Sequence, residues 1–130
     1  MTNQDTTVRA AVAAYYAAVR AGDVDAIAPM FAPAAVMRDP VGMPPATDDA
    51  SRRQRYAGIA ATFETFGIFE DQVAVCGGEA AARWTARGAA KNGKQISFEG
   101  ISTFIFDDGG KIVAMSAYFE IATVMAAMQG

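Results

Sequence analysis

The stretch best suited to chemistry is AAVMRDPVGMPP, residues 34–45, with Asp39 at its centre. Because successive side chains of a strand point to opposite faces, Arg38 and Asp39 cannot both face the core. An inward Asp39 would be a carboxylate at the rim of an apolar pocket, where desolvation raises its pKa and makes it a usable proton acceptor. The alternative is a simple turn, in which an Asp before Pro40 caps local backbone amides.

The composition restricts the remaining chemistry. The 130 residues include no histidine, which removes most zinc sites and the Ser-His and Cys-His nucleophile systems. Catalysis would therefore depend on carboxylates, tyrosines, hydroxyls, Lys or Arg. The single cysteine, Cys76, excludes an internal disulfide, and its apolar surroundings predict a buried thiol. A net charge of −3 argues against nucleic-acid binding, which requires clustered basic residues.

Length and hydropathy predict one globular domain over residues 1–130. Hydrophobic residues make up 52% of the chain and charged residues 19%, a composition typical of folded rather than disordered proteins. No apolar run is long enough to span a bilayer, and the N-terminal sequence MTNQDTTVRA is polar. We therefore expect a cytoplasmic protein without a signal peptide.

Three helices are predicted to position the Asp39 segment. The first is capped by Thr6 or Thr7 and ends at Gly22, and the second runs from Val24 to Met30 with Asp23 as its cap. A buried face of the first helix is indicated by the spacing of its apolar and tyrosine positions, which are Val8, Val12, Tyr15, Tyr16 and Val19.

The third helix follows the proline turn and ends near Thr65. Its cap is Thr47, Asp48 or Asp49, and acidic residues in the first turn suit the helix dipole. Its inner face is predicted to carry a further tyrosine, and the residues at that spacing are Tyr56, Ile59, Ala60 and Phe63.

From residue 68 onward the pattern predicts strands in an antiparallel meander. Each run ends in a turn signal, of which Asn-Gly at residues 92–93 is the strongest hairpin cue. The runs are Ile68 to Cys76, Ala80 to Ala90, Gln95 to Phe106, and Lys111 to about Ile121. Helices followed by such a meander indicate an α+β fold, with helices on one face of a curved sheet. The apolar tail ATVMAAMQG is expected to pack against the rest.

Two segments resemble the ketosteroid isomerase family, within the cone-shaped superfamily that includes scytalone dehydratase and nuclear transport factors. They are YYAAVRAGDVDAIAPMFAPAAVMRDPVGMPP and FIFDDGGKIVAMSAYF, and the Asp-Pro-x-Gly-x-Pro-Pro run lies at the family's distance from the helix tyrosine. The resemblance implies three N-terminal helices packed on one strongly curved, mostly antiparallel sheet, which forms a cone around an apolar pocket. It implies neither a metal nor a cofactor.

The same resemblance assigns roles to individual residues. Asp39 falls at the general base, Tyr15 at the oxyanion-hole tyrosine and Tyr56 at a tyrosine that supports it, while Phe119 falls at an aromatic residue beside the base. Ser102 stands where the family usually has a protonated Asp as second oxyanion donor. The resemblance also implies a substrate pocket lined by apolar residues, namely Val19, Met37, Val41, Met43, Phe63, Trp84, Phe104, Met115 and Ala117.

Two further positions bear on these assignments. Tyr16 is adjacent to Tyr15, and the spacing to Gly22-Asp23 and to Asp39 favours Tyr15 as the family's tyrosine. Phe31 replaces a tyrosine that extends the hydrogen-bonded tyrosine chain in some members. For Ser102 the alternative is an ordinary strand residue facing water.

The implied activity is that of a steroid delta-isomerase, which moves a β,γ double bond of a 3-ketosteroid into conjugation. The alternatives are a related cone-fold enzyme that acts on another ketone or polyketide, and a non-catalytic module that binds a small hydrophobic molecule. An epoxide hydrolase of this fold is less favoured, because such enzymes have an Asp-Arg-Asp arrangement that the sequence does not supply. A homodimer is implied through the outer face of the sheet, to which Ile96, Ile101 and Val113 would contribute apolar contacts.

Overall fold

A computed structural model describes residues 2–129, which form four α-helices packed on one curved five-stranded sheet. This confirms the predicted α+β class. The elements in chain order are α1 (Asn3–Ala21), α2 (Val24–Ile27) with a 3-10 turn (Ala28–Met30), β1 (Phe31–Arg38), α3 (Asp49–Thr62), β2 (Phe63–Cys76), β3 (Glu79–Ala90), β4 (Gln95–Phe106), β5 (Ile112–Tyr118) and α4 (Ile121–Met128).

The sheet has the strand order β1-β5-β4-β3-β2. Strands β2 to β5 form the predicted antiparallel meander. Strand β1 lies at one edge, parallel to β5, with Met37 opposite Met115. The chain then crosses through α3 to begin β2 at the far edge. This crossover places the end of β1 and the inner face of α3 at the same opening of the curved sheet.

The caps of α1 differ in part from the prediction. Thr2 is the N-cap, and its hydroxyl accepts a hydrogen bond from the backbone N–H of Asp5. Thr6 and Thr7 lie inside the first turns, where their hydroxyls donate back to backbone carbonyls four residues earlier. Gly22 ends the helix as predicted, in the left-handed conformation (φ 66°) that glycine adopts without steric cost.

The boundary between α3 and β2 lies earlier than predicted. Asp48 is the cap, and its carboxylate accepts from the Ser51 N–H at 2.7 Å. The helix ends at Thr62, and β2 begins at Phe63 rather than at residue 68. The cause is tertiary, because Phe63 to Gly67 pair with residues 87–90 of the long strand β3, which satisfies their backbone groups in a ladder.

A buried arginine joins α3 to β1. The Arg52 side chain is 1% exposed and donates to the carbonyl oxygens of Ala32, Pro33 and Ala35 at 2.8–3.2 Å. Its guanidinium also lies 5.4 Å from the centre of the Phe31 ring. These bonds fix the strand that leads to Asp39 against the helix that carries Tyr56.

The C-terminal tail forms a helix that the sequence analysis did not predict. Strand β5 ends at Tyr118, and α4 follows over Ile121–Met128. Its end is held by the loop between β3 and β4, where Asn92 donates to the Met128 carbonyl at 3.1 Å and Lys94 to the Gln129 carbonyl at 2.7 Å. Cys76, which was expected to be buried, is exposed at the last position of β2.

Candidate active site

Two tyrosines from different helices meet inside the curved sheet. Tyr15 lies on the buried face of α1 and Tyr56 on that of α3, and their hydroxyl oxygens are 2.7 Å apart. The ring of Phe104 packs edge-on to Tyr15 with centroids 5.3 Å apart and closes the space beneath it. Burial is the main cause that raises the pKa of both phenols well above 10, so both hold their protons at neutral pH.

Asp39 follows β1 and lies half-buried at the rim of this space. Desolvation raises the pKa of its carboxyl from 3.8 to about 6, and the positive charge of Arg55 opposes the rise in part. Arg55 does not pair with the carboxylate. Instead, it donates to the Asp39 backbone carbonyl at 3.1 Å and to the Pro44 carbonyl, which fixes the turn. Arg38 is exposed and donates to Ser116, so the two side chains diverge as alternation predicts.

Ser102 lies on β4 and faces the same space. Its oxygen accepts a hydrogen bond from the indole N–H of Trp84 at 2.9 Å. Trp84 can approach only because the residue opposite it on β4 is Gly100, where a Cβ would lie 2.4 Å from the indole ring. Since the Trp84 bond uses an acceptor site of Ser102, the Ser102 proton is left to donate elsewhere.

These groups line one cavity of about 570 Å³. Its walls are mainly apolar and aromatic, so charge that develops inside is poorly screened by water. The predicted site residues that the structure places on its lining are Tyr15, Val19, Asp39, Met43, Tyr56, Phe63, Trp84, Ser102, Met115, Ala117 and Phe119.

Three predicted pocket residues lie outside this lining. Met37 and Phe104 are fully buried in the core, where Phe104 packs beneath Tyr15 and Tyr16. Both point inward as strand alternation indicates, but deeper in the cone than the cavity extends. Val41 lines a separate cleft on the other side of Phe119.

The chain has relatives among known proteins, both in sequence and in fold. Residues 12–115 match the SnoaL-like domain family. The chain belongs to the SnoaL-like family. A steroid delta-isomerase from Nocardioides simplex is 32% identical to this SnoaL-like protein over 112 residues, which are 86% of this chain and 89% of that protein. The predicted kinship with ketosteroid isomerases is confirmed at the level of the family.

Two solved structures share the fold. The epoxide hydrolase/cyclase-like enzyme SalBIII, which has a role in pyran ring formation in the polyether salinomycin, is 25% identical, with a TM-score of 0.82 over 92% of this chain and 95% of that one. A provisionally assigned polyketide cyclase from Xanthomonas campestris pv. campestris has a TM-score of 0.83 over 98% of this chain and 100% of that one. At 18% identity, the latter shows the fold alone.

Several lining residues were missed by the sequence analysis. Helix α4 covers the cavity with its apolar face, which consists of Ile121, Val124, Met125 and Met128. The apolar tail was a signal for packing, but not for a helix or for its place over the cavity. Tyr16, over which the sequence analysis favoured Tyr15 as the family's tyrosine, lines the cavity as well, so both tyrosines face it.

Neither a metal-binding cluster nor a helix suited to crossing a membrane is found in residues 2–129. Within that range no three His, Cys, Asp or Glu side chains converge as a metal site would require. None of the helices in the same range has the length and apolar character needed to cross a membrane.

Proposed function

We propose that this SnoaL-like protein is a steroid delta-isomerase, with Asp39 as the group that moves the proton. The observation that carries the proposal is that one cavity holds the Asp39 carboxyl, with its raised pKa, together with the Tyr15–Tyr56 phenol pair. The 32% identical steroid delta-isomerase supports the same activity. A volume of about 570 Å³ falls within the range of roughly 300–1,000 Å³ that is usual for small-molecule sites.

In the proposed reaction the Asp39 carboxylate removes a proton from the carbon between the ketone and the double bond of a β,γ-unsaturated 3-ketosteroid. The electrons move toward the ketone oxygen, which gives a dienolate and a protonated Asp39. The acid then returns its proton to the far end of the original double bond. The carboxylate is regenerated, and the product is the conjugated enone. No atom is gained or lost, so neither a metal nor a cofactor is needed for the balance.

The dienolate oxygen would be held by Tyr15 and Ser102. When Tyr56 donates to Tyr15, the Tyr15 proton is free for the ligand oxygen, and the Trp84 bond leaves the Ser102 proton free in the same way. Such donors stabilise the oxygen more as it becomes charged, which lowers the barrier to proton removal. Phe119 lines the same cavity as Asp39 and would help to keep water from the carboxylate.

The test is to mix the protein with a β,γ-unsaturated 3-ketosteroid and follow the absorbance of the conjugated enone. We expect the absorbance to rise with the wild type and to rise far more slowly with Asp39→Asn. Equal rates for the two proteins would remove Asp39 from the mechanism. An absence of turnover by the wild type would reject the steroid isomerase.

The second candidate is an enzyme that acts on another ketone or polyketide through the same Asp39. The likeness to SalBIII at 25% identity favours it, since that enzyme has a role in forming a ring in a polyether. Under this candidate the steroid would not react, whereas Asp39→Asn would still abolish turnover of a polyketide-type ketone. A small-molecule-binding module would convert neither substrate. The expected cytoplasmic location stays a prediction.

We also propose a homodimer through the outer face of β4 and β5. Ile101, Ile105 and Tyr118 are 42–49% exposed there, and Ile101 and Tyr118 are direct neighbours across the two strands. Ile96, which was expected on this surface, is buried because it lies on the inward face of β4. Sedimentation at micromolar concentration should give the dimer mass for the wild type and the monomer mass for Ile101→Lys. A wild-type monomer would contradict the proposal.

A further inference from the structure

The Tyr16 hydroxyl is a buried polar group without a partner. Its side chain is 1% exposed and lines the cavity, and its hydroxyl makes no hydrogen bond within residues 2–129. A buried hydroxyl that is left unpaired lowers the free energy of unfolding, so such groups are rare without a functional reason. The neighbouring Tyr15 hydroxyl differs in that it is satisfied by Tyr56.

The surroundings of Tyr16 are fixed by packing. Its ring lies edge-on to Tyr15 and to Phe104, with centroids 5.1 and 6.1 Å away. Burial raises the pKa of the Tyr16 phenol, and the nearby Ser102 hydroxyl opposes part of the rise. Tyr16 therefore keeps its proton at neutral pH. The Ser102 oxygen accepts from Trp84 and makes no hydrogen bond with Tyr16, so within residues 2–129 the Tyr16 proton has no acceptor.

We propose that the Tyr16 phenol is a further hydrogen-bond donor to the reacting oxygen of the ligand, beside Tyr15 and Ser102. The inference rests on the proposed function for the identity of that oxygen. A ketone oxygen has two lone pairs, whereas the oxygen of an enolate has three. A third donor consequently gains its acceptor only as charge develops, so its effect falls on kcat rather than on KM.

The position of Tyr16 also bears on Ser102. An aliphatic hydroxyl is a weaker acid than a phenol and donates a weaker hydrogen bond to an enolate oxygen. Tyr16 brings a second phenol to the same end of the cavity from the adjacent position of α1. The inner end then holds two phenols from one helix and a serine from the sheet.

The experiment compares wild type, Tyr16→Phe and Tyr56→Phe in three measurements. The probe is a planar steroid with a phenolic oxygen in place of the ketone, measured at a pH above the pKa of that phenol, so that its phenolate oxygen has three lone pairs as an enolate oxygen does. Binding is followed by the fluorescence of the probe, and its 3-deoxy analogue is the control ligand. We expect Tyr16→Phe to bind the phenol roughly 10-fold more weakly and the deoxy analogue unchanged. In the isomerase assay it should lower kcat by at least the same factor and leave KM near the wild-type value.

Urea denaturation without ligand distinguishes a ligand donor from a structural residue. If the Tyr16 hydroxyl had a structural role, Tyr16→Phe would unfold at a lower urea concentration than the wild type. Tyr16→Phe should unfold at the same urea concentration as the wild type or at a higher one, because an unsatisfied hydroxyl is removed. Tyr56→Phe should unfold at a lower concentration, since it leaves Tyr15 unpaired. The proposal is overturned if Tyr16→Phe binds the phenol as tightly as the wild type, if it is destabilised as much as Tyr56→Phe, or if the wild type does not bind the phenol.

The two proposals fail separately. A wild type that does not isomerise the ketosteroid, while Tyr16→Phe loses affinity for the phenol, rejects the steroid isomerase and keeps Tyr16 as a ligand donor. An active wild type whose Tyr16→Phe variant keeps full phenol affinity and full kcat keeps the steroid isomerase and rejects Tyr16 as a ligand donor.

Discussion

The hydroxyl oxygens of Tyr15 and Tyr56 lie 2.7 Å apart inside the cavity, although 41 residues separate them in the chain. The pair forms because α1 and α3 both turn a buried face toward the cavity, and because Arg52 fixes α3 against β1. Tyr15 is 4% exposed and Tyr56 6%, and the low local dielectric strengthens the hydrogen bond between them. When Tyr56 donates this bond, the proton of Tyr15 is left for a ligand.

Removing the Tyr15 hydroxyl and removing the Tyr56 hydroxyl should have different effects, because Tyr15 donates to the ligand whereas Tyr56 acts through Tyr15. Tyr15→Phe removes a direct donor, so we expect kcat to fall by about 10²–10³. Tyr56→Phe removes a group that acts through Tyr15, and we expect a smaller loss of about 10-fold. The double variant should resemble Tyr15→Phe, because support has no effect once the donor is gone. Losses of kcat that multiply in the double variant would show that the two phenols act independently.

The carboxyl of Asp39 should lower the stability of the fold at neutral pH. Its pKa of about 6 lies above the unfolded value of 3.8, so the folded state binds the proton more tightly. Stability is therefore lost as the pH rises from about 4 through 6. Asp39→Asn should raise the free energy of unfolding by roughly 1–3 kcal/mol at pH 7 and have little effect below pH 4, as measured by urea denaturation.

The control for this pH dependence is Asp48, whose pKa is lowered in the folded state whereas that of Asp39 is raised. The backbone N–H of Ser51 holds the pKa of this exposed cap below its usual value. Asp48→Asn should therefore cost stability at pH 7 and not at low pH. If Asp39→Asn shows the same sign as Asp48→Asn, burial does not govern the Asp39 carboxyl.

Gly100 should be required for the position of Trp84. A Cβ at residue 100 would lie 2.4 Å from the indole, so Gly100→Ala must displace the ring and break its hydrogen bond to Ser102. We expect a loss of roughly 1–3 kcal/mol in stability and a red shift in the fluorescence of Trp84, the single tryptophan. The matched control is Gly58→Ala, where nothing lies within 4 Å of the added carbon and the emission should not change. Equal spectra for both variants would contradict the packing described.

Helix α4 should contribute to substrate affinity rather than to chemistry. Met125 lines the cavity, whereas Ala126, the next residue, is exposed and lies outside the lining. Met125→Gln should raise KM by about 3- to 10-fold through lost apolar contact and leave kcat nearly unchanged. Ala126→Gln controls for the change in helix composition and should leave both constants unchanged. A fall in kcat alone for Met125→Gln would indicate that α4 acts on the reacting groups.

The sequence was sufficient to predict the α+β class, the meander of β2 to β5 and the positions of Tyr15, Asp39 and Tyr56 on one cavity. The class and the meander follow from periodicity and turn residues, which are local, whereas the joint placement of Tyr15, Asp39 and Tyr56 was implied by the resemblance to the ketosteroid isomerase family. The early start of β2 depends on pairing with β3, and the role of α4 on where an apolar tail finds a surface. Such tertiary contacts leave no local signal in the sequence. The sequence likewise does not indicate that the buried Tyr16 hydroxyl lacks a hydrogen-bond partner within residues 2–129.

Asp39 as the base is tested most directly by the pH dependence of kcat/KM for enone formation from a β,γ-unsaturated 3-ketosteroid. Because Asp39 must be ionised to accept the proton, the rate should rise with pH, with a midpoint near 6, and then stay level past pH 9, since the buried phenols titrate well above 10. Asp39→Asn should abolish the rise together with most of the rate. A rate that does not change between pH 4.5 and 7.5, or an Asp39→Asn variant that keeps the wild-type profile, would contradict the assignment of Asp39 as the base.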